Sequence, residues 1–174
     1  MKIALDIGHA NNTGARGNGH EEHAVATVIA EHLYHALVAR GHTVTVLDYP
    51  DKTNAEDLNA TIRAANAGTY DIGISLHCDA SDNPDARGAH ICYTSASGKK
   101  LAEAIAVTLC ADMPGRADKT VRRPNLAILK GTRPVWVLVE CGFITNSRDC
   151  RVMTVTPELI AHDIALGIES YNNK

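Results

Sequence analysis

Three apolar runs in this sequence end on residues that bind metals or move protons. Lys2-Ile3-Ala4-Leu5-Asp6-Ile7-Gly8 leads into His9, Asp71-Ile72-Gly73-Ile74-Ser75-Leu76 into His77, and Pro134-Val135-Trp136-Val137-Leu138-Val139 into Glu140. One histidine at a strand end is most often a hydrogen-bonded turn residue. Three runs of the same form change that reading, because such runs are buried parallel strands and open α/β sheets build their sites where the carboxyl ends of strands meet. Glu21 and Glu22 add a carboxylate at the start of the helix that follows the His9 turn. Carboxylates in a first turn ordinarily complement the helix dipole, but this helix starts at the same sheet edge as His9, so one of the two can reach the histidines. Two histidines and a glutamate are the ligand set of a catalytic zinc with an open fourth position. Glu140 is then the spare carboxylate that takes a proton from water.

The elements needed to position these residues follow in order. A glycine-studded loop, Asn11 to Gly19, closes the first strand. Glu22 to Ala39 reads as a helix, with Val25, Val28, Ile29, Leu33, Ala36 and Leu37 on one stripe and Gly41 as its stop. Thr43 to Leu47 is a second strand, and Thr53-Asn54-Ala55-Glu56 has the form of a capping box opening a helix to about Asn66. The third strand runs to His77. A shorter strand, Ala89 to Tyr93, is expected antiparallel at the sheet edge, followed by a helix over Gly98 to Ala111, a polar loop from Met113 to Arg123, strands at Leu126 to Leu129 and Val135 to Glu140, and a last helix opened by Thr156-Pro157-Glu158. The alternation predicts a single three-layer α/β/α domain over residues 1–174, with a mostly parallel sheet of about six strands and no separate wall-binding domain.

Composition narrows the partners. At 174 residues, 45% hydrophobic and 21% charged, the chain can bury one core without staples. A net charge of −3 and the lack of a basic stripe argue against nucleic acid, since Arg122-Arg123 is only a local pair. No stretch approaches the roughly 20 apolar residues of a membrane span, so no membrane partner and no signal peptide are expected. Cys78, Cys92, Cys110, Cys141 and Cys150 form no Cys-x-x-Cys pair and read as buried thiols, with Cys78 and Cys141 pointing away from the strand ends they adjoin. His20 and His23 flank the glutamate pair as competing ligands. His32, His35, His42 and His162 fit solvated helix faces or ends, and His90 an edge strand.

These segments resemble the zinc-dependent N-acetylmuramoyl-L-alanine amidases, peptidoglycan hydrolases of phage endolysins and bacterial autolysins. The resemblance rests on Asp6-Ile7-Gly8-His9 for Asp-Pro-Gly-His, Gly14-Ala15-x-Gly17 before a glutamate and a helix, and Ala65-Asn66 before the third strand. It continues with Ser75-Leu76-His77-Cys78-Asp79-Ala80 for Ser-x-His-x-Asn-Ala, and Val139-Glu140-Cys141-Gly142-Phe143-Ile144-Thr145-Asn146 for Val-Glu-x-Gly-Phe-x-x-Asn. It implies one zinc ion held by His9, a glutamate of the 21/22 pair and His77, with Glu140 as the catalytic carboxylate. Alignment up to Ile29-Ala30 and Leu33 selects Glu22. Ile7 departs from the family's proline and only loosens a turn, whereas Asp79, in place of asparagine, could add a negative charge near the metal and alter substrate contacts.

The resemblance implies hydrolysis of the amide between N-acetylmuramic acid and L-alanine in peptidoglycan. A monomer is expected, acting on the cell wall either as a phage lysin released from the cytoplasm or as a trimmed secreted enzyme. Two other readings compete: a zinc exopeptidase, which would bring more acidic ligands for a second metal, and a catalytically silent cell-wall binding module.

Overall fold

The structure, a computed structural model, describes residues 1–10 and 13–173, so Asn11 and Asn12 of the expected glycine loop lie outside the described residues. Its elements are β1 (Lys2–Ile7), β2 (Arg16–Gly17), β3 (His20–Glu21), α1 (Glu22–Ala39), β4 (Thr43–Leu47), α2 (Asn54–Ala67), β5 (Ile72–Asp79), β6 (His90–Tyr93), α3 (Ala96–Asp112), β7 (Thr120–Arg122), α4 (Ala127–Gly131), β8 (Val135–Phe143), α5 (Ser147–Val155) and α6 (Pro157–Asn172). Six strands form one sheet in the order β4-β1-β5-β8-β6-β7. The first four are parallel, β6 runs antiparallel to β8, and β7 runs parallel to β6.

Side chains alternate across a strand, and here both faces are covered. Ile3, Leu5, Ile7, Ile72, Ile74, Leu76, Val137 and Val139 point into a large core shared with α1, α3 and α6. Ala4, Cys92, Trp136 and Leu138 point the other way, into a smaller core with Ala65 of α2 and Ile128 and Leu129 of α4. The result is the expected α/β/α sandwich. Among the described residues no helix is long and apolar enough to cross a membrane, and all five cysteines are free and buried.

Local signals act as their chemistry suggests. Thr53 and Glu56 close a reciprocal capping box at α2. α1 ends one residue before Arg40, and Gly41 beyond it turns left-handed at φ 83°. Pro157 sits in the first turn of α6, although Thr156 makes no side-chain cap bond.

Several expectations are corrected. Leu126 to Leu129 belongs to α4 and its entry rather than a strand, because a four-residue apolar run has no periodicity to separate the two forms. The polar loop from Met113 to Arg123 contains β7, whose pairing with β6 supplies the order its sequence lacks. β6 is therefore not the edge, since β7 lies outside it. Val28 is 43% exposed rather than on the buried stripe of α1. Where a loop was expected, β2 and β3 form a hairpin around Asn18 (φ 50°) and Gly19 (φ 80°), the two left-handed residues of a tight Asn-Gly turn.

Candidate active site

Strand register builds the site. His77 of β5 lies opposite Glu140 of β8, and Glu140 lies opposite His90 of β6. Directly opposed residues share a face of the sheet, so His77, Glu140 and His90 form a row on the α2/α4 side, at the carboxyl end of the parallel strands. His9 follows β1 on the same edge, at φ 64°, a left-handed conformation seldom adopted by residues with a side chain. The turn is held by Gly8, whose N–H donates to the Leu76 carbonyl at 3.0 Å. A Cβ on Gly8 would stand 2.2 Å from Cε1 of His77, so the close approach of the two histidines requires glycine there.

Glu22 reaches this edge from the opposite layer, as the first residue of α1. Its Oε1 accepts hydrogen bonds from the Cys78 amide at 2.9 Å and from His77 Nδ1 at 3.0 Å. Its Oε2 accepts from the Ala15 amide at 2.7 Å and lies 3.6 Å from His9 Nε2. Gly14 makes room, since a Cβ there would meet Glu22 Oε2 at 2.5 Å. His9, Glu22 and His77 each offer a ligand atom within 4.8 Å of the others. Glu21 turns instead to Arg16, at 2.7 Å.

Electrostatics make this a well for a cation. Burial alone would raise the Glu22 pKa, but the hydrogen bond and charge of His77 and the two amides hold it below the usual glutamate range. Burial likewise opposes a charge on His77, yet the bond to Glu22 and the carboxylates of Glu140, Glu22 and Asp6 lift it to about 8. Burial lowers the pKa of His9. His9 Nδ1 and Glu140 Oε2 are enclosed and make no hydrogen bond. Two imidazoles and a fixed carboxylate, each offering a donor atom within reach of the others, fit a zinc ion by donor type. Glu140 stays outside the three-donor cluster, and burial pushes its pKa up to about 7.

Behind His77 a polar thread runs through the smaller core. Asp6 accepts from Ser75 Oγ at 2.5 Å and Thr61 Oγ1 at 3.1 Å, and Ser75 accepts from Trp136 Nε1 at 2.9 Å. Asp6, part of the Asp6-Ile7-Gly8-His9 motif, thus places its carboxylate where its charge acts on His77.

The row opens into a cleft of about 650 Å³. Asp79 is not one of the three clustered donors, but beside burial its charge helps to raise the Glu140 pKa. Its Oδ2 pairs with Arg116 Nη1 at 3.2 Å and lies 3.7 Å from His90 Nδ1, while Arg116 also bonds Asp118 and sits 5.9 Å from the Phe143 ring centroid. His90, expected as a bystander on an edge strand, is 4% exposed and lines the cleft beside Glu140. Burial, with Arg116 nearby, lowers its pKa to about 4, so it is neutral. The signal that marks it is the alternation His90-Ile91-Cys92, which puts His90 and Cys92 on the face of Leu138 and Glu140. The competing ligands fall elsewhere: His23 pairs with Asp48 at 3.0 Å, and His20 is exposed. His32, His35 and His162 are exposed as expected. His42 is not; it is buried against Glu169 at 2.5 Å.

Comparison with known proteins agrees with this architecture. LytC of Bacillus subtilis, an N-acetylmuramoyl-L-alanine amidase, is 32% identical over 176 residues, an alignment covering 97% of this chain and 35% of LytC. The probable cell wall amidase LytH of Staphylococcus saprophyticus is 29% identical, with 97% of this chain and 57% of LytH covered. The chain thus spans about a third to a little over half of these two relatives. Among solved structures, the catalytic domain of the CD27L endolysin targeting Clostridia Difficile superposes with a TM-score of 0.89 at 29% identity, covering 98% of this chain and 97% of that one. The CwlD amidase from Clostridioides difficile, in complex with the GerS lipoprotein, shares the fold at 22% identity and a TM-score of 0.85, covering 99% and 98%. The family described as N-acetylmuramoyl-L-alanine amidase matches residues 3–170, nearly the full length, and the chain belongs to it.

Proposed function

We propose that this chain is a monomeric, single-domain catalytic unit that hydrolyses the amide between N-acetylmuramic acid and the L-alanine of the peptidoglycan stem. One zinc ion is held by His9, Glu22 and His77, and Glu140 acts as general base. The observation that carries the reading is the three-donor cluster with an unpaired, enclosed carboxylate oxygen one strand away. A bound zinc ion supplies Lewis acidity to a carbonyl oxygen and to a water molecule.

The chain's own residues do the rest. The amides of Ala15 and Cys78 fix the Glu22 carboxylate, so the donor atoms are set before a metal arrives. Glu140, near neutrality in its buried position, accepts the proton of the attacking water through its free oxygen and returns it to the departing alanine nitrogen.

The test is metal content of the purified protein together with mass spectrometry of digested sacculi. One zinc per chain and stem peptides released with a free L-alanine amino terminus are expected. Cleavage of free dipeptides but not sacculi would replace this reading with the exopeptidase, and binding to walls without lysis would replace it with the silent module.

A further inference from the structure

The cleft continues beyond the cluster, and its far end carries an unanswered charge. Along β6 it passes from His90 to Cys92, opposite Leu138, and reaches Leu126, Ile128 and Arg123. Two arginines line it. Arg116 is already neutralised by Asp79 and Asp118. Arg123 is exposed and has no carboxylate or hydrogen-bond partner for its guanidinium among the described residues. It is not a loose surface residue, because its backbone is clamped: its N–H donates to the Tyr93 carbonyl at 2.8 Å and its carbonyl accepts from Leu126 N–H at 3.3 Å. An arginine on a clamped backbone, lining a cleft with its guanidinium unpaired, offers a fork to a carboxylate.

The spacing suits a peptide. From β5 across β8 and β6 to β7 is three strand steps, about 14 Å, and from the row of His90 to the level of Tyr93 about 10 Å along the strands. An extended stem of four to five residues spans roughly 13–18 Å, and the arginine side chain shortens the gap. We propose that Arg123 recognises a free carboxylate of the stem peptide beyond its first residue, making the unamidated stem the preferred substrate. This rests on the amidase reading above. The shared chemistry is a carboxylate, and in a stem whose third residue is lysine, the kind used for the test, it has two sources: the second, glutamyl residue and the stem's C-terminus.

The test uses three muramyl peptides: one with both carboxylates free, one amidated at the second residue, and one amidated at the C-terminus. The free acid should exceed one of the amidated peptides about tenfold in kcat/KM, the size of a single charge-assisted hydrogen bond at an open site. Arg123→Gln should bring that ratio close to one through KM, Arg123→Lys should keep part of it, and Arg122→Gln, outside the cleft, should leave the ratio as in wild type. Calorimetric titration of the same peptides onto Glu140→Gln and Glu140→Gln/Arg123→Gln proteins reads the preference without turnover. Equal handling of all three peptides, or a preference that survives Arg123→Gln, overturns the inference. Absence of muramyl-alanine cleavage overturns the amidase reading instead, while the titrations still decide Arg123.

Discussion

The two faces of the sheet are built from the same strands and do opposite work. Toward α1, α3 and α6, every second residue is a fully enclosed aliphatic: Ile3, Leu5, Ile72, Ile74 and Leu76 meet Ile29, Leu33, Ile105 and Leu109, all at 0–1% exposure. The intervening residues, Asp6, Ser75, His77, Glu140 and His90, face a side whose helical cover, among the described residues, is α2 and the five-residue α4. Where that thin cover stops, the cleft begins. The sealed face carries the larger aliphatic core and the open one the candidate active site, and a one-residue alternation keeps the two apart.

This contrast can be broken from either side. The largest effect is expected on the open face: Glu140→Gln should lose about 10²–10⁴-fold in hydrolysis of purified sacculi while zinc content and melting temperature stay near wild type. Loss of zinc along with the rate would make Glu140 a ligand. On the sealed face, Leu5→Ala or Ile29→Ala should cost about 2–5 kcal/mol in denaturant unfolding, with normal kcat for the protein that remains folded. A metal at the proposed cluster would link the faces, since Glu22 reaches the site from the α1 layer. Chelation should therefore lower the melting temperature, by the equivalent of about 3–4 kcal/mol if zinc had been at 100 to 1,000 times its dissociation constant, and an unchanged melt after verified metal removal would contradict the assignment.

A smaller effect sharpens the comparison through pH. Asp57 of α2 is buried beside the cleft with Oδ1 unpartnered, and burial together with Asp6 raises its pKa to about 6. The folded state holds this proton after the unfolded chain has released it near pH 4, so this residue makes stability fall as pH rises from about 4 to 6 and stay lower above. Asp57→Asn should remove that component and gain about 1 kcal/mol at pH 8 but nothing at pH 3.5, after allowing for solvent in the cleft. A melting difference independent of pH would refute it. The smallest effect is Glu21→Ala, which removes only the surface pair with Arg16 and should cost under about 1 kcal/mol with full zinc retained. Glu22→Ala should lose zinc and activity together.

Much of this division was legible in the residues. The runs ending at His9, His77 and Glu140 are long enough for their length and β-branched content to mark strands, and the parallel topology then brings their ends together. Glu22 was separable from Glu21 only through the family likeness, because a capping position and a ligand position share the same sequence signal. Other parts were hidden for physical reasons. Thr120-Val121-Arg122 is a strand because β6 offers it a ladder, and Leu126 to Leu129 is helical although four apolar residues carry no period. His90 became visible only with the strand order, since nothing local says that Glu140 will lie opposite it. The Asn18-Gly19 turn is legible in its own dipeptide, although the glycines around it give the whole segment the composition of a loop.

The position of β8 has a consequence for how the chain acquires this shape. It is the last strand in sequence, yet it lies between β5 and β6. Until it arrives, those two strands present unpaired backbone edges, a template for association with other chains. Insertion joins segments more than 40 residues apart, so closure is a slow, non-local event governed by loop entropy rather than by helix propensity. A nascent or truncated chain ending before Val135 would hold His9, Glu22 and His77 without the strand that spaces them from His90, and aggregation would compete with folding until β8 slots in.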